Sequence, residues 1–315
     1  MAWNAKNKDK EFTYSEIFYS PQGEGFYTGF GTVWLRFFLC NLQCNGFGQD
    51  DPMDPSTYEL PYKNIDVSAY DKLEDLPVFS KGCDTSYSWS KRFKHLQRRG
   101  TADQIADRLI DIMKNPHNPN GRFRHPVSTE RQHLCFTGGE PLMPHGQECS
   151  TEVIYALKGN EMSMPGCVTY ETNGTQELSS DFKEFYQNRG LYSGDLFFSV
   201  SPKLQSVSGE KRDKAIKPEI VREYEILSRE GYYRKPHGQL KFVMTPDPRA
   251  WDELDEVVDM FRSHKVNFPV TIMPCGARVE EQEVTAGEVA TMALQRGYRV
   301  SARVHTYLWG NKIGT

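Results

Sequence analysis

The chain lacks any apolar run near the roughly 18 residues that a membrane helix needs. Its start, Met1 to Phe12, is polar and charged and has no apolar core of a secretory signal. It has no excess of basic residues: 38 Lys and Arg stand against 42 Asp and Glu, a net charge of −4. That balance carries no footprint for direct nucleic-acid binding. Internal repeats and low-complexity tracts are absent. Cysteine is present but unpaired in number, seven in 315 residues. An odd count without a signal segment argues for a reducing compartment and for free or metal-bound thiols, so a cytoplasmic location is expected. Asn173-Gly174-Thr175 fits a glycosylation sequon and, without secretion, reads as coincidence.

The chain does have the material of a folded α/β protein: 38% hydrophobic residues and 12% aromatics. Short apolar strands are predicted at Val33–Phe38, His133–Phe136, Val168–Glu171, Leu196–Val200, Gln239–Met244 and Val270–Met273, with a late one at Arg299–Val304. Helical segments alternate with them, which favours a parallel sheet with crossover helices. Thr101 and Gln104 form a capping-box pattern, followed by an apolar stripe of Ile105, Leu109, Ile110 and Met113. Further helices are expected at about 151–158, 179–188, 218–229, 249–264 and 286–296. One domain over 1–315 accommodates all of this, with three loop-rich segments that look inserted: 45–82, 115–131 and 204–237.

Short chemical motifs recur where these strands end. In parallel α/β folds, ligands bind at the carboxyl ends of the strands, so the motifs are expected to share one site. Cys40 and Cys44 follow the first strand, and Cys83 lies beyond residues 45–82 in Gly82-Cys83-Asp84-Thr85. Remove the intervening segment and the pieces join into a three-cysteine loop. Three thiolates on a four-iron cluster leave one iron open to a small molecule, whereas four thiolates close it. On spacing alone, a zinc site or inert thiols compete with that reading. Stretching a loop to this length costs roughly 2–3 kcal/mol of closure entropy. Multi-thiolate metal sites return on the order of 10 kcal/mol, so the insertion is tolerable if it folds outward, as a lid or a partner surface. The glycines around Gly23, Gly25, Gly29 and Gly31 match neither a phosphate loop nor a dinucleotide turn.

The ordered set of motifs resembles one family. Ser20-Pro21-Gln22-Gly23-Glu24-Gly25 and Trp34-Leu35-Arg36-Phe37 precede the first cysteine. Gly138-Gly139-Glu140-Pro141, Glu171-Thr172-Asn173-Gly174, Ser201-Pro202-Lys203 and the tail Arg303-Val304-His305 with Trp309-Gly310 follow. Together, over about residues 13 to 315, they are similar to the 7-carboxy-7-deazaguanine synthase family of the radical S-adenosylmethionine superfamily. The departure is the long separation of Cys44 from Cys83, where two residues are usual.

The resemblance implies an incomplete, open (β/α) barrel with loop-rich insertions. It implies a [4Fe–4S] cluster on Cys40, Cys44 and Cys83, and S-adenosylmethionine held near Gly138, Gly139, Glu140, Asn173, Ser201 and Lys203. It further implies Mg2+ on Thr85 and a pterin substrate on Gln22, Glu24, Arg36 and His305, with no catalytic group beyond the cluster and S-adenosylmethionine. The implied reaction converts 6-carboxy-5,6,7,8-tetrahydropterin to 7-carboxy-7-deazaguanine and ammonia, within deazapurine biosynthesis such as that of queuosine. An external electron donor of flavodoxin type and a homodimer are family expectations. Each residue also has a plainer reading: Arg36 in an internal salt bridge, His305 as a structural histidine, Asp84 and Thr85 as helix caps, and Gly138-Gly139 as a tight turn. Two rivals remain. A glycyl-radical activase would not need the Gln22, Glu24, Arg36, Thr85 and His305 set. A non-catalytic relative would bind a partner through 45–82.

Overall fold

A computed structural model describes residues 8–158, 164–188, 190–229 and 237–314. Nine strands form one sheet in the order β3-β1-β2-β4-β5-β6-β7-β8-β9. The antiparallel edge comprises β1 (Phe12–Pro21), paired with both β2 (Gly31–Phe37) and β3 (Arg98–Gly100). From β2 onward the sheet is parallel through β4 (His133–Gly138), β5 (Cys167–Thr172), β6 (Asp195–Val200), β7 (Gly238–Met244), β8 (Val270–Pro274) and β9 (Arg299–Val300). The end strands β3 and β9 do not pair, so the sheet is the open, incomplete (β/α) barrel that the family resemblance implied.

The strands are two-faced, and this builds the site. Successive side chains of a strand point to opposite faces. Val33, Leu35 and Phe37 of β2, Leu134 and Phe136 of β4, Val168 and Tyr170 of β5, and Leu240 and Phe242 of β7 join the main apolar core under the helices. Their neighbours Trp34 and Arg36, Thr137, Glu171, Ser199, Lys241 and Met273 line a common cavity instead. For residues from six strands to face one space, the sheet must wrap around it, as a partial barrel does.

The crossover helices are α1 (Ala102–Ile112), α2 (Pro144–Leu157), α3 (Ser180–Gln187), α4 (Pro218–Ser228), α5 (Pro248–Ser263) and α6 (Ala286–Gln295). Helix α1 carries the expected reciprocal capping box of Thr101 and Gln104, and Ile105 and Leu109 are fully buried. Helix α2 starts well before the predicted 151, because Pro144 occupies the first helical position, where its missing N–H costs nothing. The long first strand β1 and the short β3 were not expected. Both lie on the antiparallel side, where β1 mixes Ser, Glu and Thr with aromatics. The late strand is confined to Arg299–Val300. Ser301 still donates to Ile272, but the chain then leaves the sheet, and the helical turn α7 (Val304–Trp309) follows.

The three loop-rich segments differ in kind. Residues 45–82 hold only short turns, yet they form a second core: Tyr62, Leu73, Leu76 and Phe79 pack with Tyr87, Phe93 and Leu96 from the segment that follows. Residues 115–131 place Phe123 in the main core. Within 204–237, helix α4 is the crossover between β6 and β7 and buries Val221, Tyr224 and Leu227. Residues 230–236 of that segment, like the start of the Met1 to Phe12 stretch, lie outside the described residues. Among the described residues no helix is long and apolar enough to cross a membrane.

Candidate active site

The cavity at the carboxyl ends of the strands measures about 660 Å3, within the range of about 300–1,000 Å3 common for small-molecule sites. Cys40, Cys44 and Cys83 all line it. Cys40 leaves β2 after Leu39, which adopts a left-handed φ of 88°, and Cys44 adopts one of 52°. Both conformations are uncommon for residues other than glycine, and they turn the loop back on itself. The chain returns to the site at Cys83 through a hydrogen bond from Gly82 N to the Phe47 carbonyl (2.7 Å). The long insertion therefore bulges outward while its two ends meet. Among the described residues no three ligand groups converge tightly enough to share a single ion; the thiols surround a space rather than a point. Burial pushes the Cys40 thiol up to about 12 and raises those of Cys44 and Cys83, and the Cys83 thiol adds to the effect on the other two. Thiols so placed hold their protons until a metal replaces them.

Donors surround these sulfurs. Leu42 N lies 3.4 Å and Asn173 Nδ2 3.9 Å from Cys40 Sγ. Thr85 Oγ1 lies 3.4 Å from Cys83 Sγ. Thr85 precedes a short helical turn but makes no side-chain cap, so its hydroxyl faces the site rather than serving the helix.

Gly138 and Gly139 are required by crowding. A Cβ on Gly139 would sit 2.1 Å from the Leu39 carbonyl oxygen, and one on Gly138 2.5 Å from Phe37 backbone. Their loop is stitched to the cysteine loop: Gly139 N donates to Phe37 O and Glu140 N to Leu39 O. The glycines bring backbone against backbone here, and these two amides, which a ligand could have used, are already engaged. Glu140 is fully buried behind the wall. It accepts from Leu142 N, Thr172 Oγ1 and Asn173 N. Burial raises its carboxyl to about 7 against the pull of those donors. Glu140 thus braces the turn that presents Asn173. Ser201 N donates to Thr172 O, and Lys203 Nζ bonds Ser201 Oγ at 2.9 Å, which extends the same wall.

On the opposite side, Gln22, Glu24 and His305 come together. Gln22 Nε2 donates to Glu171, and its Oε1 accepts from Glu24 N. His305 packs against Gly23 so closely that a Cβ there would lie 2.0 Å from Nδ1. Glu24 is paired twice, with Lys241 Nζ at Oε2 and with Arg303 Nε at Oε1 (2.8 Å). Arg303 also binds Asp84 Oδ2 (2.8 Å) and the Gly276 carbonyl, and so staples three segments of the wall. Burial alone would raise the Glu24 carboxyl, but Lys241, Arg303 and His305 together hold it well below the carboxylate range. Burial lowers the His305 imidazole.

Arg36 has the internal partner that its plainer reading required. Its Nε donates to Glu16 Oε1 at 2.7 Å, and Tyr87 OH reaches the same oxygen. The guanidinium nevertheless lines the cavity. Sequence reasoning missed Glu16 and Lys241, and it gave no role to Glu171 and Arg303 although both stand in its motifs. Lys241 had a usable signal: it is a lone charge inside an apolar strand, the same cue that singled out Arg36.

Lys241→Met is expected to cost about 3 kcal/mol at neutral pH, because it leaves Glu24 and Glu171 buried with less compensation. The sign with pH follows from the depressed Glu24 carboxyl. Its stabilisation is present above the unfolded value near 4.5 and is lost as pH falls through the folded value. Urea unfolding of both proteins should show the gap at pH 7 shrink on moving well below pH 4.5. A gap independent of pH would mean that the loss is packing alone.

Polar atoms without partners mark this space. Glu16 Oε2 and Trp34 Nε1 are buried, lack a hydrogen-bond partner among the described residues, and belong to residues of the cavity wall. Such orphans are rare in a finished interior and fit a polar occupant. The three thiols with their N–H and O–H neighbours likewise fit an iron–sulfur cluster.

No protein-family model matches the chain. It is 26% identical over 317 residues to the 7-carboxy-7-deazaguanine synthase of Rhodopirellula baltica, which covers 99% of this chain and 92% of the relative. It is 23% identical over 302 residues to the synthase of the same name from Halobacterium salinarum, covering 94% and 90%. The crystal structure of QueE from Escherichia coli superposes with a TM-score of 0.48 at 16% identity, over 94% of this chain and 95% of that one. In sequence, and over nearly its whole length, the chain is similar to the 7-carboxy-7-deazaguanine synthases of Rhodopirellula baltica and Halobacterium salinarum.

Proposed function

We propose that the chain converts 6-carboxy-5,6,7,8-tetrahydropterin to 7-carboxy-7-deazaguanine with release of ammonia. Three cysteines and the Gln22, Glu24 and His305 set facing one cavity are the observation that carries this reading. Cys40, Cys44 and Cys83 would hold a [4Fe–4S] cluster and leave one iron open. The carbonyl edge of Gly138 and Gly139, Asn173, Ser201 and Lys203 would receive S-adenosylmethionine, with Glu140 as the brace behind them. Cluster and S-adenosylmethionine together supply a radical that abstracts hydrogen; the protein supplies position and exclusion of water.

The chain's own residues divide the remaining work. Glu24, kept ionised by Lys241 and Arg303, suits the N–H edge of a pterin. Gln22, held between Glu171 and Glu24 N, presents its amide to the same edge. Arg36 would meet the substrate carboxylate while Glu16 fixes its plane. The Thr85 hydroxyl would be one oxygen ligand of a Mg2+ that otherwise keeps water and substrate oxygens. The overall conversion is redox-neutral, since substrate and product differ by one ammonia. The electron donor would be an external flavodoxin-like protein, and the working unit a homodimer.

The test is anaerobic turnover of the reconstituted protein with the carboxy-tetrahydropterin, S-adenosylmethionine and a reductant, read by mass. A product lighter than substrate by ammonia is expected, and a cluster-loaded protein that returns substrate unchanged would remove the reading. In the same assay Arg36→Lys keeps a charge beside Glu16 but loses the fork. It should raise the substrate KM on the order of 30-fold or more, the scale of a lost bidentate contact worth about 2–5 kcal/mol. An unchanged KM would leave Arg36 a structural partner of Glu16 only.

A further inference from the structure

Glu210 lies outside every motif, yet it grips the cysteine loop. Its Oε1 accepts from both Gln43 N and Cys44 N, each at 2.7 Å. The adjoining backbone adds a third tie, Gly46 N to Ser208 O at 2.9 Å. Approach there is so close that a Cβ on Gly46 would fall 2.6 Å from the backbone of Ser208 and Gly209. The residue held this way, Cys44, is itself in a left-handed conformation, φ 52°. In the usual spacing, two intervening residues fix the second cysteine relative to the third. Here residues 45–82 intervene, and the hold on Cys44 comes from another part of the chain.

We infer that Glu210 is a positioning residue for Cys44 and that its carboxylate makes a cluster on these cysteines harder to reduce. This rests on the reading that Cys40, Cys44 and Cys83 hold a [4Fe–4S] cluster. The positioning half follows from geometry: one oxygen closes two adjacent amides around a strained residue, and charge-assisted bonds of this kind are stronger than neutral ones. The electrostatic half follows from sign. Cluster potential depends on nearby charge and on hydrogen bonds to the sulfurs. Two loop amides that could donate to sulfur are engaged by Glu210, and the carboxylate adds negative charge beside Cys44. Both effects disfavour an added electron.

Two variants separate the halves. Glu210→Gln keeps an oxygen to accept both amides and removes the charge. Glu210→Ala removes both. After anaerobic reconstitution, iron and sulfide would be quantified, and the midpoint potential read by a redox titration followed by electron paramagnetic resonance. Glu210→Gln should load as the parent does and titrate at a more positive potential. Glu210→Ala should lose iron several-fold faster on gel filtration while keeping its thermal midpoint within a few degrees. Glu223→Gln, on the exposed Lys183 pair, should change neither reading. An unshifted potential in Glu210→Gln overturns the electrostatic half, and parental iron retention in Glu210→Ala overturns the positioning half. If Glu210→Ala instead loses its thermal midpoint, iron retention by Glu210→Gln decides the positioning half. A parent protein that takes up no iron and sulfide would defeat the cluster reading itself.

Discussion

Cys83→Ala should abolish cluster absorbance after anaerobic reconstitution and, with it, S-adenosylmethionine cleavage. Cys83 reaches the other two cysteines only because the chain closes behind it, through Gly82 N to Phe47 O. Two thiolates cannot hold a four-iron cluster that needs three, and sites of this type draw on the order of 10 kcal/mol from complete ligation. Cys40→Ala and Cys44→Ala should fail in the same way. The other cysteines provide the contrast. Cys135 and Cys149 are fully buried and Cys167 nearly so. Their replacement by Ala should cost about 1 kcal/mol of packing and leave iron content unchanged. Cys275 also lines the cavity, where its thiol meets the Gly48 backbone, Arg303 and Asp84. A Cys83→Ala protein with parental iron content and activity would end the cluster assignment.

Much of the site was legible because it is written at strand ends. Cys40, Gly138, Asn173 and Ser201 each follow an apolar run, and a parallel sheet brings such positions to one rim. The paired carboxylates and cations were harder to read. Glu24, Asp84, Lys241 and Arg303 are distant in sequence, and only the wrap of the sheet makes them neighbours. Lys241 was passed over as the lone charge of its strand, where Leu240 and Phe242 face the core and Lys241 faces the cavity. Glu140 was legible in place but not in role. The motif placed it beside a ligand, whereas its carboxylate is filled by Thr172, Asn173 and Leu142. Strand β1 was missed because both its faces are partly buried and its alternation is weak. The role of 204–237 was obscured by its charged start. Helix α4 behind that run is an ordinary crossover, and the segment's one unusual contribution, Glu210, carries no pattern that a single sequence reveals.

Replacing residues 45–82 by two residues, the spacing usual in the superfamily, is expected to unfold this part of the protein rather than tidy it. Composition gave no sign of a core: the segment is rich in Asp, Pro, Tyr and Lys and forms no long element. Its apolar minority tells against that. Tyr62, Leu73, Leu76 and Phe79 are buried against Tyr87, Phe93 and Leu96, and Trp89 and Ile313 pack on the same cluster. Excision would remove the first four side chains and expose the rest. At about 1.5–3 kcal/mol for each buried apolar side chain, the loss is on the order of 10 kcal/mol. That is an upper bound, because the unfolded chain already hides part of this surface and the excised residues no longer need ordering. Even half of it rivals the whole stability of a typical domain, about 5–15 kcal/mol. The consequence reaches the site, since Pro77, Val78, Ser80 and Lys81 form cavity wall and Arg278 Nη2 bonds the Val78 carbonyl. Phe93, Tyr87 and Cys83 would lose their support together. The shortened protein should therefore come out aggregated, or soluble with an early, non-cooperative melt and little iron. Phe79→Ala should fall between the two, folded and iron-loaded but less stable by about 3–5 kcal/mol. A shortened protein that melts cooperatively at the parental temperature and retains its iron would show that the second core is dispensable, and that Cys44 needs nothing beyond its tie to Glu210.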